Sequence, residues 1–213
     1  MYNLQTSKQM TMKTSLRIQM IMLLGAIVLF TQCGGKKESS MDSGTMDQAA
    51  SSEAPETPTG PLFTVDATFQ EQVLHTFQAY LKVKDAFVAS DAALVKAEAT
   101  KLKGILKAVD PKMLSGPALN DWSNYLNNLD MALVDILATD DLEAQRTAFS
   151  NLSDNLYKSI KAYGLGTATA YYEFCPMAFN DQGAYWLSDS KEIRNPYFGD
   201  KMLKCGRVTE ELK

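Results

Sequence analysis

Four sulfur-bearing residues stand near the C-terminus, in Cys175-Pro176-Met177 and in Met202-Leu203-Lys204-Cys205. Thiolate and thioether are soft donors, and together they select Cu(I) over harder ions. Each pair puts two sulfurs within reach of one centre, and Pro176 fixes the backbone between the first two. Zinc fits less well, because it takes four Cys or His ligands and seldom a Met. The same cysteines admit a second chemistry. As a disulfide, Cys175 and Cys205 would close a loop of about 30 residues and stabilise the fold by roughly 3–4 kcal/mol. The methionines would then be apolar filler against aromatic rings. Residue types and spacing leave both readings open.

Eight aromatic residues surround these sulfurs: Tyr171, Tyr172, Phe174, Phe179, Tyr185, Trp186, Tyr197 and Phe198. In the metal reading Trp186 and its neighbours exclude water from a cuprous ion. In the other reading Tyr185, Trp186, Tyr197 and Phe198 are exposed contact residues for a protein partner. Gly and Pro interrupt the stretch repeatedly, so residues 168–210 are expected as an irregular loop packed on whatever precedes them. The single histidine, His75, is an outside candidate for a fifth ligand. With one histidine, no phosphate-binding glycine loop and no nucleophile elbow, the sequence predicts no enzyme. Neither cysteine has a base nearby in sequence to activate it.

The N-terminal segment predicts where this chemistry takes place. Residues 1–32 carry Lys8, Lys13 and Arg17, no acidic residue, and the apolar run Met20–Phe30, which is the pattern of a secretory signal peptide. Cys33 follows directly and resembles the acylated cysteine of bacterial lipoproteins. Acylation would leave Cys175 and Cys205 as an even pair in an oxidising compartment. Residues 33–62, rich in Ser, Gly, Thr, Pro and Glu, read as a flexible tether. The whole chain has a net charge of −4. Removing the three basic residues of the signal takes it to −7, which argues against nucleic acid as a partner. The expectation is a lipid-anchored protein on the periplasmic side of a Gram-negative envelope, held to the membrane through acyl chains.

Residues 63–210 must position the sulfurs, and four helical patterns fill their first hundred residues. Phe69, Val73, Phe77, Tyr80, Leu81 and Phe87 share one arc; Leu94, Val95, Leu102, Ile105, Leu106 and Val109 line a second helix. Trp122, Tyr125, Leu126, Leu129, Leu133 and Ile136 mark a third, and Leu142, Phe149, Leu152, Leu156 and Ile160 a fourth. Ser90-Asp91 and Asp140-Asp141 supply caps, while Asp110-Pro111 and Gly164 supply stops. The predicted fold is all-α: an antiparallel four-helix bundle with the irregular extension packed on it. His75, Ala79 and Ala86 fall on a stripe opposite the apolar arc of the first helix, where the aromatic tail could pack.

Beyond these patterns, Lys84-Asp85-Ala86, Cys175-Pro176-Met177-Ala178, Trp186-Leu187-Ser188, Ile193-Arg194-Asn195-Pro196-Tyr197-Phe198-Gly199 and Met202-Leu203-Lys204-Cys205-Gly206 carry a family likeness. They resemble a bacterial domain of unknown function found in small lipoproteins and at the C-terminal end of copper and silver efflux adaptor proteins. Cys175-Pro176-Met177 is also similar to the Cys-Pro-Met of short heavy-metal-binding modules, with Ala178 where those modules have a histidine. Soft-donor spacing, together with the association of the resembled family with metal efflux, leads to the expectation that Cys175, Met177, Met202 and Cys205 hold Cu(I) for buffering or transfer to an efflux adaptor. The alternative is a non-catalytic envelope interaction module with a structural Cys175–Cys205 disulfide.

Overall fold

The computed structural model describes residues 60–213. The expected signal peptide, Cys33 and most of the tether lie outside the described residues. Aspartates begin three of the four long helices, accepting backbone N–H groups that the first turn leaves unpaired. Asp66 accepts from Thr68 at 2.7 Å before α1 (Ala67–Val88), and Asp91 from Leu94 at 2.9 Å before α2 (Ala92–Ala108). Asp141 accepts from Glu143 at 3.1 Å before α4 (Leu142–Tyr163). Helix α3 (Gly116–Leu137) instead has Pro117 in its first turn, where a missing N–H costs nothing. A short 3-10 turn, Pro111–Met113, connects α2 to α3.

Each long helix packs on its neighbour in sequence, and α4 returns to α1. The interior follows the periodicity: Phe69, Val73, Phe77, Tyr80, Leu81 and Phe87 are all buried. Leu94 departs from it and is exposed. Val95, Ala99, Leu102 and Leu106 already complete the inward stripe of α2, which turns Leu94 outward. At one end Phe69, Trp122 and Tyr163 meet edge to face, with centroids 5.2–5.7 Å apart. Burying rings of this size stabilises by about 1.5–3 kcal/mol each. The chain entering α1 docks there too: Phe63 donates to the Ala162 carbonyl at 2.9 Å, and its ring stacks on Tyr163.

The C-terminal part corrects the all-α expectation. It is not an irregular loop but a three-stranded antiparallel sheet in the order β2-β1-β3. The strands are β1 (Ala170–Cys175), β2 (Ala184–Ser188) and β3 (Arg207–Leu212). Aromatic residues that suit a pleated, half-buried surface form β1 and β2. On one face Tyr157 of α4, Tyr172 and Tyr185 stack in sequence at 3.8 and 4.6 Å, which fixes the sheet on the helices. The one-turn segment Ala178–Asp181 between β1 and β2 is left-handed at Phe179, Asn180 and Asp181. The Tyr80 hydroxyl joins three elements: it pairs with Ser153 of α4 at 2.7 Å and accepts the Leu187 N–H of β2 at 3.1 Å. Along the stripe of His75, Ala79 and Ala86, burial increases toward the C-terminal end of α1. Ala86 is buried, Ala79 half-buried, and His75 exposed.

Candidate functional site at the sulfur pair

Cys175 ends β1, and Cys205 stands two residues before β3, so the two cysteines meet where the chain enters its last strand. Their Sγ atoms are 2.7 Å apart. Cys175 is wholly buried and Cys205 half-buried. Burial, followed by the neighbouring Cys175, pushes the Cys205 thiol up to about 11.

The segment returning from β2 is built to hold Cys205 there. Buried Asn195 donates its side-chain amide to the Cys205 carbonyl at 2.8 Å and accepts the Tyr197 N–H at 2.8 Å. Its backbone N–H bonds to the Leu203 carbonyl at 2.9 Å. Two residues beyond Tyr197, Gly199 has φ +57°, and a Cβ there would come within 2.8 Å of the Val88 carbonyl. Arg146 of α4 completes the anchor, donating to the Pro196 carbonyl at 3.0 Å and to Ser90 Oγ at 3.1 Å. The Asn-Pro-Tyr-Phe-Gly stretch is therefore a structural bracket that docks the returning segment on the ends of α1 and α4.

The other sequence candidates fall into different places. Met177 is 47% exposed. Met202 is half-buried and closes the 3-10 turn Gly199–Lys201, its carbonyl accepting from Cys205 at 3.0 Å. Among the described residues no three His, Cys, Asp or Glu side chains gather around one point, so His75 does not join the cysteines. The contact residues also separate. Trp186 and Tyr197 are buried in the core and present no surface, which corrects their reading as exposed contacts; Tyr185 and Phe198 are half-buried. Trp186 lies against Gly206, and the Tyr197 hydroxyl donates to the Tyr185 carbonyl, so both rings serve packing.

An ion held by both sulfurs would have to move them apart. Two sulfurs each about 2.3 Å from one tetrahedral ion would stand roughly 3.7 Å apart. The observed separation of 2.7 Å is closer, which is apposition of the two sulfurs with no space for an ion between them.

Sequence reasoning missed the polar groups buried beside this pair. Glu173 of β1 is 0% exposed, and neither carboxylate oxygen has a hydrogen-bond partner. Burial raises it to about 7, against the opposing pull of the Lys84 ammonium. Trp186 lies opposite Glu173 in the strand register; its indole N–H makes no close hydrogen bond, yet it too pulls the Glu173 carboxyl down against burial. Lys84 is buried on α1 and pairs with Asp85 at 3.1 Å. A glutamate inside the run Tyr171-Tyr172-Glu173-Phe174 was the signal, since a charge amid aromatic strand residues is unusual.

No curated protein and no solved structure matches the chain. Residues 76–168, from the middle of α1 to the approach to β1, match the family model "Protein of unknown function (DUF3347)", so the helical part carries a domain of unknown function and the Cys175–Cys205 pair lies beyond the matched stretch.

Proposed function

We propose that this chain is a non-catalytic interaction domain of the cell envelope, carried on an acylated Cys33, with its C-terminal sheet stapled by a Cys175–Cys205 disulfide. One observation carries this reading: the two Sγ atoms are apposed at 2.7 Å, inside a segment that Asn195 and Arg146 hold in place. An exported chain meets an oxidising compartment, where such a pair joins. Tyr185 and Phe198, both half-buried, are the aromatic residues of this part that a partner could reach.

A second reading, a Cu(I) site for buffering or transfer to an efflux adaptor, is favoured by one feature. Met177 offers an exposed thioether two residues from Cys175. In that reading the reduced pair would have to part before an ion entered.

Mass spectrometry of the full chain, purified from the envelope in detergent and alkylated without reduction, separates the two. The staple reading expects Cys175 and Cys205 unalkylated and linked in one peptide pair, with no copper retained when Cu(I) is offered after mild reduction. Copper that is retained by the wild type and lost in a Cys175→Ser, Met177→Leu double variant would establish the metal site instead.

A further inference from the structure

Strand β3 is held at its two ends by different means, and between them the Thr209 hydroxyl donates to the Tyr172 carbonyl at 2.8 Å and the Arg207 guanidinium lies over the Phe174 ring. At its far end Glu210 accepts the Tyr157 hydroxyl and the Lys161 ammonium, each at 2.6 Å, and Leu212 is buried opposite Ala170. At its near end stand Cys205 and Gly206. Between the ends the pairing with β1 is irregular: Tyr172 faces Glu210, while the next residue, Glu173, faces Val208. Thr209 is skipped, so the near half of β3 is not continuous in register with the anchored half.

That near half is a cover. Val208 lies across from Glu173, whose buried carboxyl offers it no hydrogen bond. Gly206 lies so close to Trp186 that a Cβ would come within 2.8 Å of the ring. Apart from the Cys175 link, Cys205 is held by the Asn195 side-chain amide, by its own N–H on the Met202 carbonyl and by the Met177 backbone N–H at its sulfur, all of them neutral hydrogen bonds.

We propose that the Cys175–Cys205 bond is a reversible redox clasp on the near half of β3: its reduction frays Arg207–Thr209 from β1 and uncovers Glu173 and Trp186 while the helices stay folded. This rests on the disulfide reading above. The reductant is a dithiol. Its first thiolate attacks Cys205 Sγ, the half-exposed sulfur, and forms a mixed disulfide while expelling Cys175 as a thiolate, which takes up a proton. The second thiol of the reductant displaces Cys205, which leaves as a thiol. Two electrons and two protons have entered the protein, and the reductant has become its own disulfide.

Hydrogen exchange of the full chain tests this, with the oxidised protein compared with protein reduced by dithiothreitol and the thiol state checked by mass. Amides of Arg207–Thr209 are expected to exchange about tenfold faster after reduction, with α1–α4 changed by less than about twofold. Cys205→Ser under oxidising conditions should reproduce the reduced pattern. An opened disulfide with unchanged β3 exchange, or equal loosening of helices and sheet, overturns the clasp and leaves the staple intact. A Cys205→Ser variant that exchanges like the oxidised protein also overturns it. Absence of any disulfide in the oxidised chain overturns the staple reading, and the clasp with it.

Discussion

Asn195 and Cys205 are joined by a 2.8 Å hydrogen bond from the asparagine amide to the cysteine carbonyl, and the same side chain accepts the Tyr197 N–H at 2.8 Å. One buried residue thus fixes both the sulfur-bearing strand entry and the aromatic ring that packs behind it. Asn195→Ala leaves the Tyr197 donor and the Cys205 acceptor without these partners, and each orphaned group costs about 1–3 kcal/mol. Urea unfolding should show a stability loss of roughly 2–4 kcal/mol, with slower oxidation of the cysteine pair. An unchanged midpoint would show that water replaces both contacts.

Glu173 gives the stability of the domain a pH dependence of defined sign. Its ordinary value of 4.5 rises to about 7 in the folded chain, with burial as the main cause. Between those values the folded chain holds a proton that the unfolded chain has released, so stability falls as pH rises through this window. Glu173→Gln keeps the shape and removes the titration. The variant should match the wild type near the acid end and exceed it by about 1–3 kcal/mol on the alkaline side. Chemical denaturation at several pH values checks this; parallel curves for the two proteins would remove Glu173 as the source.

The helices were legible in the sequence because each signal was local. Asp91 and Asp141 announce their helices, Gly164 ends the last one, and a period of 3.6 marks the buried face. The sheet was not legible for two physical reasons. The skipped Thr209 breaks the correspondence between β1 and β3, and Tyr172 and Glu173 are both buried, so β1 lacks the alternation that identifies a strand. The spacing of Cys175 and Cys205 suggested that they could meet. Their bracket depends on Arg146, which is distant in sequence and looks like any other helical arginine. Long-range polar contacts of that kind carry no periodic signature.

Arg146 is the cation that binds the returning segment to the helices. It is buried, and its guanidinium reaches the Pro196 carbonyl, Ser90 Oγ and the Glu143 carboxylate. A lysine presents a point charge and cannot serve these directions at once. Arg146→Lys and Arg146→Met should both destabilise by about 2–4 kcal/mol, lowering the Tm by roughly 5–15 °C. Calorimetry decides the matter, and a lysine variant as stable as wild type would show that charge alone is enough.

The Tyr80 hydroxyl links α1, α4 and β2 through Ser153 and the Leu187 N–H, and its burial holds the phenol protonated well above the usual tyrosine range. Ser153 also contacts the Phe149 carbonyl at 2.9 Å, so it keeps a partner when the phenol is removed; Leu187 loses its acceptor. Tyr80→Phe should therefore cost about 1–3 kcal/mol, more than Ser153→Ala, and its effect should fall on the sheet. Exchange at the Leu187 amide should quicken in Tyr80→Phe and stay near wild type in Ser153→Ala. The double variant should fall short of the sum of the two losses by about 0.5–1 kcal/mol, because the direct Tyr80–Ser153 bond is lost only once. Strict additivity would mean that the hydroxyl acts on β2 without help from α4.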